Sequence, residues 1–359
     1  MFERYQRLAE TALRNEPPSR EDALWALEDG DVELLPLLHS AFVPRQHHFG
    51  RVVMVHVLNN VQNGLCPEDC GYCSQSRDSD APIRKYAMKS DEEILAEAED
   101  AARAGASRYC MVLSGRGPTL ERTRKLADLI RRVKQRYPIE VCLSAGLLGD
   151  EHAQLLAEAG LDRLNHNLNT SESRYTDICS THTYRDRLDT LMAAKRSGIA
   201  ACSGMIVGMG EDSGDVIDVA MQLRELEVPS IPVNFLVPIE GNPVYSDGSL
   251  SPTRALRVLS VVRLINPNAE IRIAAGREGH LRDLGTLALW PANSLFVEGY
   301  LTTRGDGEDA TYRMIRDAGF EIEGNALYAD DTETTTAEVP FRLRGTGGEI
   351  LKPEIRREP

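Results

Sequence analysis

Residues 51–73 read RVVMVHVLNNVQNGLCPEDCGYC. The segment opens on a β-branched run, Val52 to Asn59, of the kind that forms a buried strand. It then enters a loop carrying Cys66, Cys70 and Cys73 in a C-x3-C-x2-C spacing. Working outward, helix-like stretches alternate with further short apolar strands: Arg108 to Ser114, Ile139 to Ala145, Arg163 to Leu168, Ala200 to Val207, Ser230 to Leu236, Glu270 to Ala275 and Ser294 to Val297. The helical stretches include Ser90 to Ala104, Thr119 to Arg136, Asp150 to Ala159, Tyr184 to Ser197 and Pro252 to Leu264. Several begin at a capping Ser, Thr or Asp and stop at a glycine (Gly105, Gly160, Gly198).

Eight consecutive βα units in roughly 250 residues predict an α/β fold, a closed (β/α)8 TIM-type barrel. A doubly wound open sheet would leave the same local pattern. The expected organisation is an N-terminal helical cap over 1–50, broken at Pro17-Pro18 and again near Pro44, a barrel over 51–323, and a poorly ordered C-terminal tail over 324–359. His47 and His48 are expected on a solvated loop.

The chain has 359 residues and a net charge of −14 from 55 acidic and 41 basic side chains, which disfavours nucleic acid and anionic membranes as partners. No apolar run approaches a bilayer span, and the N-terminus is charged where a signal peptide would be apolar, so a cytoplasmic location is expected. Seven cysteines, three of them within eight residues, suit reduced metal-binding thiols better than disulfides.

Three thiolates on one loop can hold three irons of a [4Fe–4S] cube and leave the fourth open to a small molecule. A zinc site completed by His166 or His182 would draw on the same thiols. The x3 spacing, Tyr72 just before the last thiol, and the position after the first strand are together similar to the radical S-adenosylmethionine superfamily. The fuller string Asn63-Gly-Leu-Cys66-Pro-Glu-Asp-Cys70-Gly-Tyr-Cys73-Ser-Gln-Ser76 resembles the signature of biotin synthases. Four other segments resemble that family in the same order: Leu164 to Ser171, Cys202 to Glu211, Ile231 to Leu236 and Ile271 to Glu278. The similarity covers about Arg51 to Glu323.

The resemblance implies that the open iron binds S-adenosylmethionine and that a 5′-deoxyadenosyl radical abstracts hydrogen from dethiobiotin. Those C–H bonds are beyond acid–base chemistry, so the cofactor carries the reaction. Cys110, Cys142 and Cys202 lie on three different expected strands and Arg272 on a fourth, and inward positions of a barrel converge on one volume. Isolated strand cysteines are usually buried hydrophobes. The resemblance instead implies that Cys110, Cys142, Cys202 and Arg272 hold a second, [2Fe–2S] cluster whose sulfide enters biotin. A guanidinium is otherwise a pure donor, so its part as a ligand rests on the resemblance. Cys179 reads as a free thiol; joined to Cys110, Cys142 and Cys202 it would imply a larger cluster.

Asn165, Asn167 and Asn169 alternate, so an extended strand would set all three on one face. With Asn234 they offer amides to a ureido ring or ribose. By resemblance Asn167 and Asn169 meet ribose or substrate and Asn234 meets dethiobiotin, while Tyr72 belongs to the cofactor side. Leu164 and Asn169 stand where the family often has Tyr and Asp. Arg108 is a candidate partner for the S-adenosylmethionine carboxylate, or else part of a surface ion pair. Ser114 to Pro118 and Gly204 to Gly210 are read as glycine-rich backbone approaching the adenosyl group. Family membership also implies a homodimer, a flavodoxin-like electron donor and iron–sulfur assembly machinery as partners.

The competing readings are another radical S-adenosylmethionine barrel of the hydrogenase-maturation or pyrrolysine-pathway type, and a non-catalytic iron–sulfur sensor or electron carrier. The set Cys110, Cys142, Cys202 and Arg272 argues against the first, and the open iron against the second. A lipoyl synthase would need an additional N-terminal cysteine cluster, and residues 1–65 contain no cysteine.

Overall fold

The structure is a computed structural model and describes residues 2–244, 248, 250–297 and 308–323. The expected tail, 324–359, lies outside the described residues.

Among the described residues ten strands are all parallel: β1 (Val52–Gln62), β2 (Arg108–Leu113), β3 (Glu140–Ser144), β4 (Arg163–Asn165), β5 (Ala200–Cys202), β6 (Met205–Val207), β7 (Ser230–Phe235), β8 (Glu270–Ile273), β9 (Ser294–Phe296) and β10 (Glu321–Ile322). Neighbours follow chain order from β1 to β5, then β7, β8 and β9, with β6 paired to β7. The ring closes because Met54 to His56 of β1 pair with Ser294 to Phe296 of β9. That pairing excludes the open sheet, which would leave both edges free. β5 and β6 share one barrel position, the fifth expected strand being interrupted at Ser203-Gly204. A Cβ at Gly204 would lie 1.8 Å from the Pro232 carbonyl oxygen, so only glycine lets the chain step there against β7.

The helices form where their boundaries announce them. Ser90 caps Asp91–Arg103 and Thr183 caps Tyr184–Arg196, each with a reciprocal capping box. The apolar faces of Asp91–Arg103 and Leu120–Arg136 (Ile94, Leu95, Leu126, Ile130, Val133) pack on the outward residues of β2 and β3, including Tyr109, Val141 and Leu143. Leu164 belongs to this outer layer, so its replacement of a more frequent Tyr faces away from the barrel interior. The helix Ser213–Glu225, absent from the sequence reading, supplies the crossover between β6 and β7.

Three helices precede the barrel: α1 (Phe2–Leu13), α2 (Arg20–Glu28) and α3 (Leu34–Phe49). Pro17-Pro18 separates α1 from α2 as expected. Pro44 does not break the chain but lies inside α3, and His47 and His48 are exposed on its last turn instead of on a loop. Tertiary contacts outweigh the lost hydrogen bond. Phe42 packs on Trp290 and Phe320, and buried Arg45 donates to the carbonyls of Gly50, Val52 and Ala292 at the N-terminal ends of β1 and β9. Burial first, and then Arg51, hold the Arg45 guanidinium down at about 9. Among the described residues no helix is long and apolar enough to cross a membrane.

Candidate active site

The loop after β1 places Cys66, Cys70 and Cys73 in the wall of one cavity at the C-terminal ends of the strands, the face where barrel enzymes build their sites. The loop is tightly wound: Cys73 N–H donates to the Cys70 carbonyl at 3.0 Å, and Ser76 N–H to that of Cys73 at 3.0 Å. Gly71 allows Val244 to approach, since a Cβ there would lie 2.8 Å from its Cγ2.

The two acids between the first thiols fasten this loop to the segment 179–182. Glu68 is buried and accepts from Thr181 Oγ1 (2.6 Å), His182 Nδ1 (2.5 Å) and Arg116 Nη1 (3.1 Å). Despite the cost of its burial, these three donors hold its carboxyl below the usual range. Asp69 accepts from the backbone N–H groups of Ser180 (3.0 Å) and Thr181 (3.1 Å). Cys179, carried by this segment, accepts from Cys70 at 3.7 Å and lies 3.3 Å from His182 Nδ1. The Cys70 bond is the foremost reason the Cys179 thiol falls to about 4, and it also drives Cys70 upward. Cys179 therefore sits behind the first thiol set and does not join Cys110, Cys142 and Cys202. His182 meets Cys70 and Cys179, not all three thiols of the triplet.

Asn165, His166, Asn167 and Asn169 all line the cavity. They do not share one strand face, because β4 ends at Asn165 and Asn169 is left-handed at φ 72°. Asn169 Nδ2 donates to the Tyr72 hydroxyl at 2.5 Å. Arg187, outside the sequence reading, is buried and donates to His182 Nε2 (2.9 Å) and the Asn167 carbonyl (2.8 Å). Asn234 also reaches the cavity, but both ends of its amide serve backbone, donating to the Met205 carbonyl (3.1 Å) and accepting from Ala275 N–H (3.2 Å).

Gly115 lines the cavity with open space where a Cβ would be, as expected for close approach by a ligand. Gly117 and Gly204 do not; Leu147 and Pro232 backbone fills that space. Arg108 is corrected as well. It is 1% exposed, absent from the cavity wall, and bound to Glu140 (2.7 Å) and Glu270 (3.0 Å), so it is neither a cofactor contact nor a surface pair.

Deeper in the barrel Cys110 and Cys142 are direct partners across β2 and β3, and Cys202 packs with them beside Ala274 and Phe296. Arg272 Nη1 donates to Cys202 Sγ at 3.5 Å, and Arg272 Nε has no hydrogen-bond partner among the described residues. An orphaned buried donor beside three free thiols fits a group that the barrel is shaped to hold. Asn165 belongs to the walls of both this small space and the main cavity, its Nδ2 3.3 Å from Cys202 Sγ.

A closed parallel barrel with an open-ended three-thiol loop defines a radical S-adenosylmethionine enzyme, and residues 62–223 match the family model described as the Radical SAM superfamily. Residues 232–321 match the Biotin and Thiamin Synthesis associated domain. The chain belongs to the biotin synthase family. It is 58% identical to the biotin synthase of Acaryochloris marina, over 88% of this chain and 91% of the relative, and 54% identical to that of Magnetococcus marinus, over 88% and 98%. Among solved structures, methylornithine synthase superposes with a TM-score of 0.76 at 20% identity, covering 88% of this chain and 97% of that one. The hydrogenase maturase of Carboxydothermus hydrogenoformans gives 0.75 at 18%, covering 90% and 80%. These two share the fold alone.

Proposed function

We propose that this chain forms biotin by inserting sulfur into dethiobiotin, with Cys66, Cys70 and Cys73 holding a [4Fe–4S] cluster and Cys110, Cys142, Cys202 and Arg272 holding a [2Fe–2S] cluster. The observation that carries this reading is that Cys66, Cys70 and Cys73 line one cavity, Cys110, Cys142 and Arg272 line a smaller one, and the two share Asn165, Ser144 and Val112 as a common wall. When bound, the first cluster and S-adenosylmethionine supply a carbon radical able to take hydrogen from unactivated carbon, and the second supplies sulfide.

The chain's own residues position and protect. Glu68 and Asp69 fix the thiol loop to the segment 179–182, so that three thiols line one cavity, and among the described residues no fourth thiol lines it. Asn165 and Asn167 present amides that match a ureido ring or ribose hydroxyls. Ile206, Phe235 and Leu236 provide the apolar wall that keeps water from a reactive carbon. The protein works as a cytoplasmic homodimer, reduced by a flavodoxin-like donor and supplied by iron–sulfur assembly machinery; family membership supports each of these. Residues 1–50 act as a cap and 51–323 as the catalytic barrel.

The test is anaerobic reconstitution with S-adenosylmethionine, dethiobiotin and a reductant, following 5′-deoxyadenosine and biotin by mass spectrometry. Both products are expected. Deoxyadenosine without biotin would keep the radical class and remove this substrate. Neither product, from protein verified to carry its clusters, would leave the sensor or carrier reading.

A further inference from the structure

Two buried guanidiniums share one buried carboxylate, and one of the two, Arg272, lines the small thiol-lined space. Glu270 opens β8 and Arg272 follows two residues later, so both side chains point into the barrel. Glu270 Oε1 accepts from Arg272 Nη2 (2.5 Å), Ser294 Oγ (2.9 Å), His56 Nε2 (2.9 Å) and Arg108 Nη1 (3.2 Å), and Oε2 accepts from Arg108 Nη2 (3.0 Å). Arg108 is held from its other side by Glu140. Glu140 also pairs with Arg163 at 3.3 Å, so Glu270 is the one carboxylate that the two buried arginines share.

This arrangement selects which nitrogen of Arg272 meets the thiols. Nη2 is taken twice, by Glu270 and by Ser230 Oγ at 2.9 Å, whereas Nη1 is turned to Cys202 and Nε is unpartnered. A guanidinium is planar, so fixing one corner against two acceptors fixes the other two nitrogens. Without the carboxylate, two buried cations would share one site with nothing between them, and Arg272 would be free to swing away.

Resting on the reading that Cys110, Cys142, Cys202 and Arg272 hold the second cluster, we infer that Glu270 is a positioning residue for it, anchoring Arg272 by Nη2 so that Nη1 and Nε are presented to the thiol set. Neither the thiol spacing nor the arginine itself reveals this role. It belongs to a carboxylate that touches neither substrate nor thiol.

The experiment compares the unaltered holoenzyme with Glu270→Gln, Ser230→Ala, Arg272→Met and the Glu270→Gln/Arg272→Met pair. Each is reconstituted anaerobically, and loss of the two clusters to the iron chelator bathophenanthroline is resolved by Mössbauer spectroscopy. Glu270→Gln is expected to speed loss of the second cluster about tenfold or more, as removal of an outer support commonly does, with the radical cluster lost at its former rate. Ser230→Ala leaves every charge in place and removes one acceptor each from Arg272 Nη2 and Cys202 Sγ (3.6 Å); it moves the second cluster the same way by less and carries the test should Glu270→Gln not fold. On the Arg272→Met background the Glu270 change adds nothing. Equal acceleration of both clusters, or an unchanged second cluster in both Glu270→Gln and Ser230→Ala, would overturn the role. Iron and sulfide sufficient for one cube only in the unaltered enzyme would instead remove the second cluster, and this role with it.

Discussion

Cys179 Sγ lies 3.7 Å from Cys70 Sγ, although 109 positions separate them in the chain. Of the two, only Cys70 also lines the cavity. With Cys70 bound to iron, as proposed, it has no proton to give; the bond that foremost lowers the Cys179 thiol is then gone, and the contact persists only with Cys179 as donor, its single S–H turned to Cys70 from Asp69 Oδ1 at 3.2 Å. Hydrogen bonds to cluster sulfurs raise reduction potential. Cys179→Ala is expected to keep the iron content of both clusters and to lower the midpoint of the radical cluster by about 20–60 mV, the worth of one weak hydrogen bond in a one-electron couple. An EPR-monitored redox titration measures this. Loss of the cluster itself in Cys179→Ala would make Cys179 a ligand.

On the proposed assignment, the two thiol sets serve two partial reactions. Cys70→Ala is expected to abolish S-adenosylmethionine cleavage, because Cys70 belongs to the loop that would hold the radical cluster. Cys142, paired with Cys110 across β2 and β3, belongs to the deeper set. Cys142→Ala is expected to spare part of the cleavage while losing biotin formation. Quantifying deoxyadenosine and biotin in the same reaction distinguishes the two variants, and full biotin formation by either would refute its assignment.

These relationships explain what the sequence disclosed and what it withheld. The eight barrel positions were legible because β-branched runs, caps and glycine stops are local signals, and the triplet was legible because its ligands share one loop. Arg108 was misread because its partner Glu270 is 162 positions away, and nothing near Arg108 announces a buried acceptor. Glu68 and Asp69 escaped for the same reason, their partners Ser180, Thr181 and His182 lying 111 to 114 positions away. The polar run Asp177 to Thr183 was the one available sign that something would be tied down there. Pro44 was read as a break because the local rule holds in isolation; Arg45 and Phe42 supply the tertiary contacts that override it.

His56 makes stability depend on pH in a stated direction. Burial foremost, then Arg272 and Arg108, outweigh Glu270 and hold the imidazole down at about 3, so it is neutral in the fold. The unfolded chain takes up a proton near pH 6.5 that the native chain refuses. Stability from this group is therefore complete above about pH 6.5 and falls as pH drops toward 3, by about 1.4 kcal/mol per pH unit once well below 6.5. Glu270, held well below the carboxylate range, adds to the loss only below about 4.5. His56→Gln, which retains a donor toward Glu270, is expected to flatten denaturant midpoints between pH 5 and 7.5, leaving the slope from buried His166, whose ring is likewise pushed down by burial. Chelated, cluster-free protein keeps acid loss of iron out of the comparison. An unchanged slope would show that His56 is protonated in the fold.

Asn169 combines a backbone task with a side-chain task, and three substitutions separate them. Its N–H donates to the Gly204 carbonyl (3.0 Å) and its carbonyl accepts from Ile206 N–H (2.8 Å), bridging the gap where β5 gives way to β6. The backbone is left-handed there, a conformation that Asn, Asp and Gly adopt at small cost and other residues adopt at about 1–2 kcal/mol. The side chain separately supports Tyr72 in the cavity wall. Asn169→Ala should lose both terms, about 2–3 kcal/mol with one hydrogen bond included. Asn169→Gly should recover the backbone part while leaving Tyr72 unsupported, and so weaken S-adenosylmethionine binding more than it weakens the fold. Asn169→Asp reverses the bond, the Tyr72 hydroxyl now donating, and should remain near the parent in both respects. Denaturation midpoints and equilibrium binding of S-adenosylmethionine to the cluster-loaded protein give the two readings. If glycine and alanine behaved alike in stability, the left-handed backbone would not be what this position selects.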